Sequence, residues 1–164
     1  MSPRLRLTAS MMVTASLVVG IAVGCASSSG SKMAGSGDVV ADRQRLMKAV
    51  GANWGDIQAK AKANNIEAIA VNAETLAISA QHIPALFPEG SLTDKSKAKP
   101  EIWQKRAEFE AAAKNLETEA AKLRDAARAK NEALTQQLVK DFGRQTCGTC
   151  HTPFRQPPPA QPRS

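Results

Sequence analysis

The chain has 164 residues, with 22 Lys and Arg against 15 Asp and Glu and a formal net charge of +7. Alanine is frequent, Tyr is absent and aromatic residues make up only 4%. This profile suits close-packed helices in one modest domain and argues against a β-sandwich; without aromatic residues among the basic ones, it also argues against a nucleic-acid surface.

The first 24 residues read as an export signal. Arg4 and Arg6 form a positive start, and Leu7 to Gly24 then runs without a charge. The junction Ala22-Val23-Gly24-Cys25 resembles a bacterial lipobox, in which Cys25 is lipidated and becomes the mature N-terminus. Ordinary cleavage nearby, leaving a free thiol, and an uncleaved membrane anchor are the competing readings. Loss of Arg4 and Arg6 takes the charge from +7 to +5. Residues 25–37 are rich in Ser and Gly and form a flexible tether.

From residue 38 to 155 the pattern is helical. Asp38 is an N-cap for a helix from Val39 to Ala63, with Val40, Leu46, Met47, Val50, Trp54 and Ile57 towards its apolar side. Asn64-Asn65 ends it. A second helix carries Ile66, Ile69, Ala73, Leu76, Ala80 and Ile83 at spacings of three and four, and Pro84 and Pro88 bracket its end. Lys95, Lys97 and Lys99 cluster in the loop that follows, either as a solvated surface or as a face that steers an acidic redox partner. Pro100 opens a third helix, whose seam of Phe109, Ala113, Leu116, Ala120, Leu123 and Ala127 is the most regular in the chain. The fourth helix is expected from Asn131 to Phe154, with Leu134, Leu138 and Phe142 leading towards its C-terminal motif. Residues 156–164 form a disordered proline-rich tail. The expected fold is all-α: an antiparallel four-helix bundle.

The fourth helix carries Cys147-Gly148-Thr149-Cys150-His151. C-x-x-C-H is the attachment site of c-type haem: the thiols of Cys147 and Cys150 add to the haem vinyl groups as thioethers, and the imidazole of His151 becomes an axial iron ligand. Positions three apart share a helix face, which points both sulfurs at one porphyrin edge. A structural disulfide or a redox dithiol would use the same pair, although a redox motif usually opens a helix after a strand, and no strand run is present. Export agrees with haem, since c-type haem is attached outside the bacterial inner membrane. Two haem propionates would lower the mature charge to about +3.

The exported bundle with haem on its last helix resembles the class II c-type cytochromes, the cytochrome c-prime family. The resemblance rests on Cys147 to His151 followed by Phe154-Arg155, on Gly143 before the first haem cysteine, on Leu86-Phe87-Pro88 and on Pro100-Glu101-Ile102-Trp103. Arg43-Gln44-Arg45-Leu46-Met47-Lys48 resembles the low-spin c-556 branch, which implies Met47 as the distal axial ligand. A thioether is a soft ligand that favours Fe(II) and raises the potential. Met47 as a core filler is the plain alternative. Arg43, one turn earlier, is either a propionate contact or an exposed charge. His82 is a helix cap or a rival ligand, and Trp54 and Trp103 belong to the core or the pocket wall. The resemblance implies a periplasmic electron carrier that serves redox partner proteins and forms a homodimer; the sequence shows no catalytic constellation beside the haem motif, and lipidation of Cys25 would associate the protein with the membrane. A haem protein that binds NO or CO, with Met47 off the iron, is the second expectation.

Overall fold

The computed structural model describes residues 37–157, so the export signal, Cys25, almost all of the Ser/Gly tether and most of the proline-rich tail lie outside the described residues. The helices are α1 (Val39–Lys62), α2 (Ile69–His82), α3 (Glu101–Gln104), α4 (Arg106–Arg128), α5 (Glu132–Phe142) and α6 (Thr149–Phe154). A 3-10 turn occupies Pro84–Leu86, and a π-helical segment, Gly143–Gly148, joins α5 to α6. Among the described residues there is no strand, only an isolated antiparallel bridge between Ala98 and Arg155. The four long elements, α1, α2, α4 and α5, pack as an antiparallel bundle with short connections within each hairpin.

Local chemistry places the helix ends. The Asp38 carboxylate accepts from the backbone N–H of Val40 at 2.9 Å and of Ala41 at 3.1 Å, as its N-cap reading requires. Asn64 takes a positive φ of 54°, and Asn65 N donates back to Lys60 O at 2.9 Å, closing α1 with a Schellman turn. Lys130 repeats the motif at the end of α4 with φ 54°, and Asn131 N donates to Ala126 O at 3.0 Å. Asn131 also caps α5, its side chain accepting from Leu134 N at 3.1 Å. One residue therefore ends one helix and starts the next.

The core follows the expected periodicity. Every seam residue of α4, from Phe109 to Ala127, is buried, as are Ile66, Ile69, Ala73, Leu76, Ala80 and Ile83. The α2–α4 pair is the most extensive in the bundle, whereas α1 and α5 meet only over a short stretch. There Trp54 stacks on Phe142 with ring centroids 4.9 Å apart.

Two expectations need correction. The helix expected from Pro100 is broken at Lys105, whose φ of −122° and ψ of 49° are not helical. At this break Trp103 Nε1 donates to Pro88 O, and Arg106 donates to Phe87 O and Pro84 O, each at 2.9 Å. These tertiary bonds hold α3 to the 84–88 turn at an angle that a continuous helix would not have. The fourth helix is not continuous to Phe154, because its middle is the π segment. Along its first turn Thr135 is the buried residue, and Leu134 is 46% exposed.

Candidate haem site

The π segment builds one wall of the site. Hydroxyls compete for its carbonyls: Thr146 Oγ1 donates to Phe142 O, and Thr149 Oγ1 donates to Thr146 O at 2.8 Å. Asn115 Nδ2, on α4, takes Gln145 O at 2.9 Å. Such widened turns are frequent at functional sites, and this one carries Cys147, while Cys150 and His151 lie in the first turn of α6. Past Pro153, which has no N–H to extend the helix, the chain is fastened to the loop before α3. Lys99 N donates to Phe154 O at 3.0 Å, and Gln156 N donates to Lys97 O at 2.8 Å.

A cavity of about 420 Å³ lies between this wall and α1, within the usual size range of cofactor sites. Cys147, Cys150 and His151 line it from the C-terminal side, and Met47 and Val50 line it from α1. The backbones of α1 and α6 do not approach each other, so the cavity separates them. Ile102, Phe109, Leu116 and Phe154 supply apolar surface, and Ala98, Ala112 and Ala113 leave room. Four cations, Arg43, Lys48, Lys97 and Arg155, line the cavity, and no carboxylate does. An apolar chamber with a purely cationic set of charges fits a flat apolar macrocycle that bears two carboxylates.

The titratable groups agree with that use. Cys147 and Cys150 are free, half-buried thiols, so no disulfide joins them. Burial, with a contribution from Cys147, pushes the Cys150 thiol up to about 11. His151 is exposed along the cavity, and partial desolvation together with Arg155 holds its imidazole below the usual range, which favours the neutral, ligand-competent form.

Arg43 is not the exposed charge that was one of its two readings; it is only 5% exposed. Its Nε donates to Leu86 O at 2.5 Å, its Nη1 to Ser91 O at 3.1 Å, and its Nη2 to Ser91 Oγ. The guanidinium also lies 4.2 Å from the centroid of the Phe87 ring. His82 ends α2, half-buried, and does not line the cavity. Trp54 lies in the α1–α5 contact, and Trp103 lines a separate surface groove. Sequence reasoning missed Lys48, Lys97 and Arg155 as lining residues. Their charges were visible, but their convergence depends on the 97–99 and 154–156 segments pairing.

Fold and cavity together define an all-α protein with a C-x-x-C-H motif opening onto an apolar chamber, the architecture of a c-type haem protein. The chain belongs to the cytochrome c′ family, whose family model matches residues 38–155. It is 35% identical to cytochrome c-556 of Agrobacterium fabrum over 122 residues, covering 71% of this chain and 80% of that protein. It is also 35% identical to cytochrome c′ of Pararhodospirillum photometricum over 124 residues, covering 70% of this chain and 93% of that one. Among solved structures, cytochrome c′ from Thermochromatium tepidum superposes with a TM-score of 0.67 at 26% identity, covering 73% of this chain and 95% of that chain. A nitric oxide complex of a cytochrome c prime variant from Alcaligenes xylosoxidans gives a TM-score of 0.67 at 25% identity, covering 77% of this chain and all of that one. The cofactor of the family is covalently attached haem c, and Cys147, Cys150 and His151 supply a C-x-x-C-H motif on the wall of the cavity.

Proposed function

We propose that the chain is an exported, non-enzymatic electron carrier whose haem is ligated by His151 and Met47. The observation that carries this reading is that Met47, the single methionine among the described residues, lines the same cavity as Cys147, Cys150 and His151. Haem iron, when bound, supplies one reversible electron. The chain's own residues do the rest. Cys147 and Cys150 hold the group against the π segment, His151 presents a neutral imidazole, and Met47 presents a thioether that favours Fe(II). Lys48, Lys97 and Arg155, with the N–H groups of Arg43 not used by residues 86–91, are the cations available to the propionates. The apolar walls keep water from the iron and so limit reorganisation when the electron moves.

Export would place the domain in the periplasm, with Cys25 as its lipid anchor and redox proteins as its partners. No helix among the described residues is long and apolar enough to cross a membrane. A second reading, the binding of NO or CO at a five-coordinate iron, draws on the nitric oxide complex of the Alcaligenes relative. Absorption spectra of the purified exported protein and of Met47→Leu separate the two. Loss of the low-spin, methionine-ligated signature in the variant, with new CO binding, supports the carrier. An unchanged spectrum takes Met47 off the iron and favours the gas-binding reading.

A further inference from the structure

We propose that Arg43 is a positioning residue for Met47. Its clasp on the 86–91 segment sets where the Met47 sulfur stands in the cavity, and therefore how firmly that sulfur occupies the iron. The inference rests on the His/Met reading above.

Methionine cannot hold its own place. It has three rotatable bonds and a weakly interacting sulfur, so its position follows from the helix that carries it. The C-terminal half of α1 is secured by the Trp54–Phe142 stack, by buried Ile57 and by Lys60 Nζ, which donates to Ala68 O at 3.0 Å. The N-terminal half has fewer ties. Val40 and Arg43 are its buried side chains, and Leu46, Met47 and Val50 are only partly covered. Arg43 alone among them makes long-range polar contacts, to carbonyls and a hydroxyl 43 and 48 residues away.

Residues 43 and 47 are one turn apart on the same helix face. Fastening the first therefore fixes the second in both depth and rotation. The clasp has a planar, three-point geometry that lysine cannot reproduce. Its far side is itself held, because Ser91 Oγ donates to Pro88 O at 2.5 Å and Trp103 Nε1 donates to the same carbonyl at 2.9 Å. The stacking continues around the cavity: Phe87 meets Phe109 edge-on at 4.9 Å, and Phe109 meets Phe154 at 5.4 Å. Phe154 lies three residues beyond His151. The element that aims the distal residue thus touches the aromatic wall that also flanks the proximal one.

The test uses the exported holoprotein and three variants: Arg43→Gln, Ser91→Ala and Met47→Leu. CO is the probe, since a methionine-ligated iron admits it only when the sulfur leaves. Arg43→Gln should weaken the low-spin signature and raise the CO association rate by about tenfold or more, the equivalent of one lost hydrogen bond to a charged group. Ser91→Ala should move both readouts in the same direction by less, and it serves alone if Arg43→Gln does not fold. A role for Arg43 confined to the propionates predicts no change in Ser91→Ala, and that result overturns the proposal. In the Met47→Leu background, Arg43→Gln should add nothing to the CO rate. An unchanged spectrum in Met47→Leu alone would reject the His/Met reading, and the proposal with it. An altered spectrum there, with a wild-type CO rate in folded Arg43→Gln, rejects the clasp and leaves the reading intact.

Discussion

Trp54 stacks on Phe142 with ring planes 20° apart, and this contact pins α1 to α5 together with Gln136 Nε2, which donates to Ala61 O at 2.9 Å. Trp54 does not line the cavity, whereas Val50, one turn earlier on α1, does. Trp54→Ala should therefore cost about 2–4 kcal/mol of stability, as half-buried aromatic truncations do. Denaturant unfolding of the holoprotein measures it. A loss below about 0.5 kcal/mol, the level of an ordinary surface substitution, would show that the stack does not hold the helices together.

Covalent attachment should depend on both thiols. A Cys147→Ala/Cys150→Ala variant, exported under conditions that mature the wild type, should give no haem stain on a denaturing gel. His151→Ala should lose the proximal ligand and accumulate little holoprotein. Haem retained through denaturation in the double variant contradicts the attachment.

Lys130 holds a positive φ of 54° that its Cβ disfavours. Its ion pair with Glu67, 2.9 Å long, is fully exposed and gives little in return. Lys130→Gly should raise stability by about 0.5–1 kcal/mol, because glycine adopts this conformation without the steric penalty. A fall in the unfolding midpoint would mean that the side chain contributes more than its geometry indicates.

Along α2, Val71 is 65% exposed and Ile78 is 48% exposed, one above the other two turns apart. A second copy of the chain would cover these two side chains. The wild type should sediment as a dimer at micromolar concentration, and Val71→Asp/Ile78→Asp should sediment as a monomer with an unchanged haem spectrum. A wild type that stays monomeric at high concentration rejects the homodimer.

Cys25→Ser should release the protein from the membrane fraction or leave it unprocessed. A wild-type chain that fractionates entirely with soluble periplasmic proteins rules out the lipid anchor.

The bundle was legible because its signals are local. The three-and-four spacing from Phe109 to Ala127 and the carboxylate of Asp38 need only neighbours along the chain to act. The cysteine pair and His151 were readable for the same reason. What the sequence hid is set by distant partners. Arg43 is buried because Leu86 and Ser91 come to meet it, and no short window contains all three. The π segment arises where Thr146, Thr149 and Asn115 take carbonyls from the ladder. Two threonines within a helix beside glycines hinted at it, but Asn115 lies 30 residues away.

The pairing of residues 97–99 with 154–156 has a use in engineering. It brings the backbone at Gln156 beside Arg155 and so to the margin of the cavity. A redox domain fused after Gln156 would start its search at the rim of the cavity rather than in free solution. A short flexible linker there confers an effective concentration on the order of millimolar, which turns a weak encounter into an intramolecular one. The same fusion at the Asp38 end would begin its search from the first turn of α1, with no such backbone pairing to fix its direction.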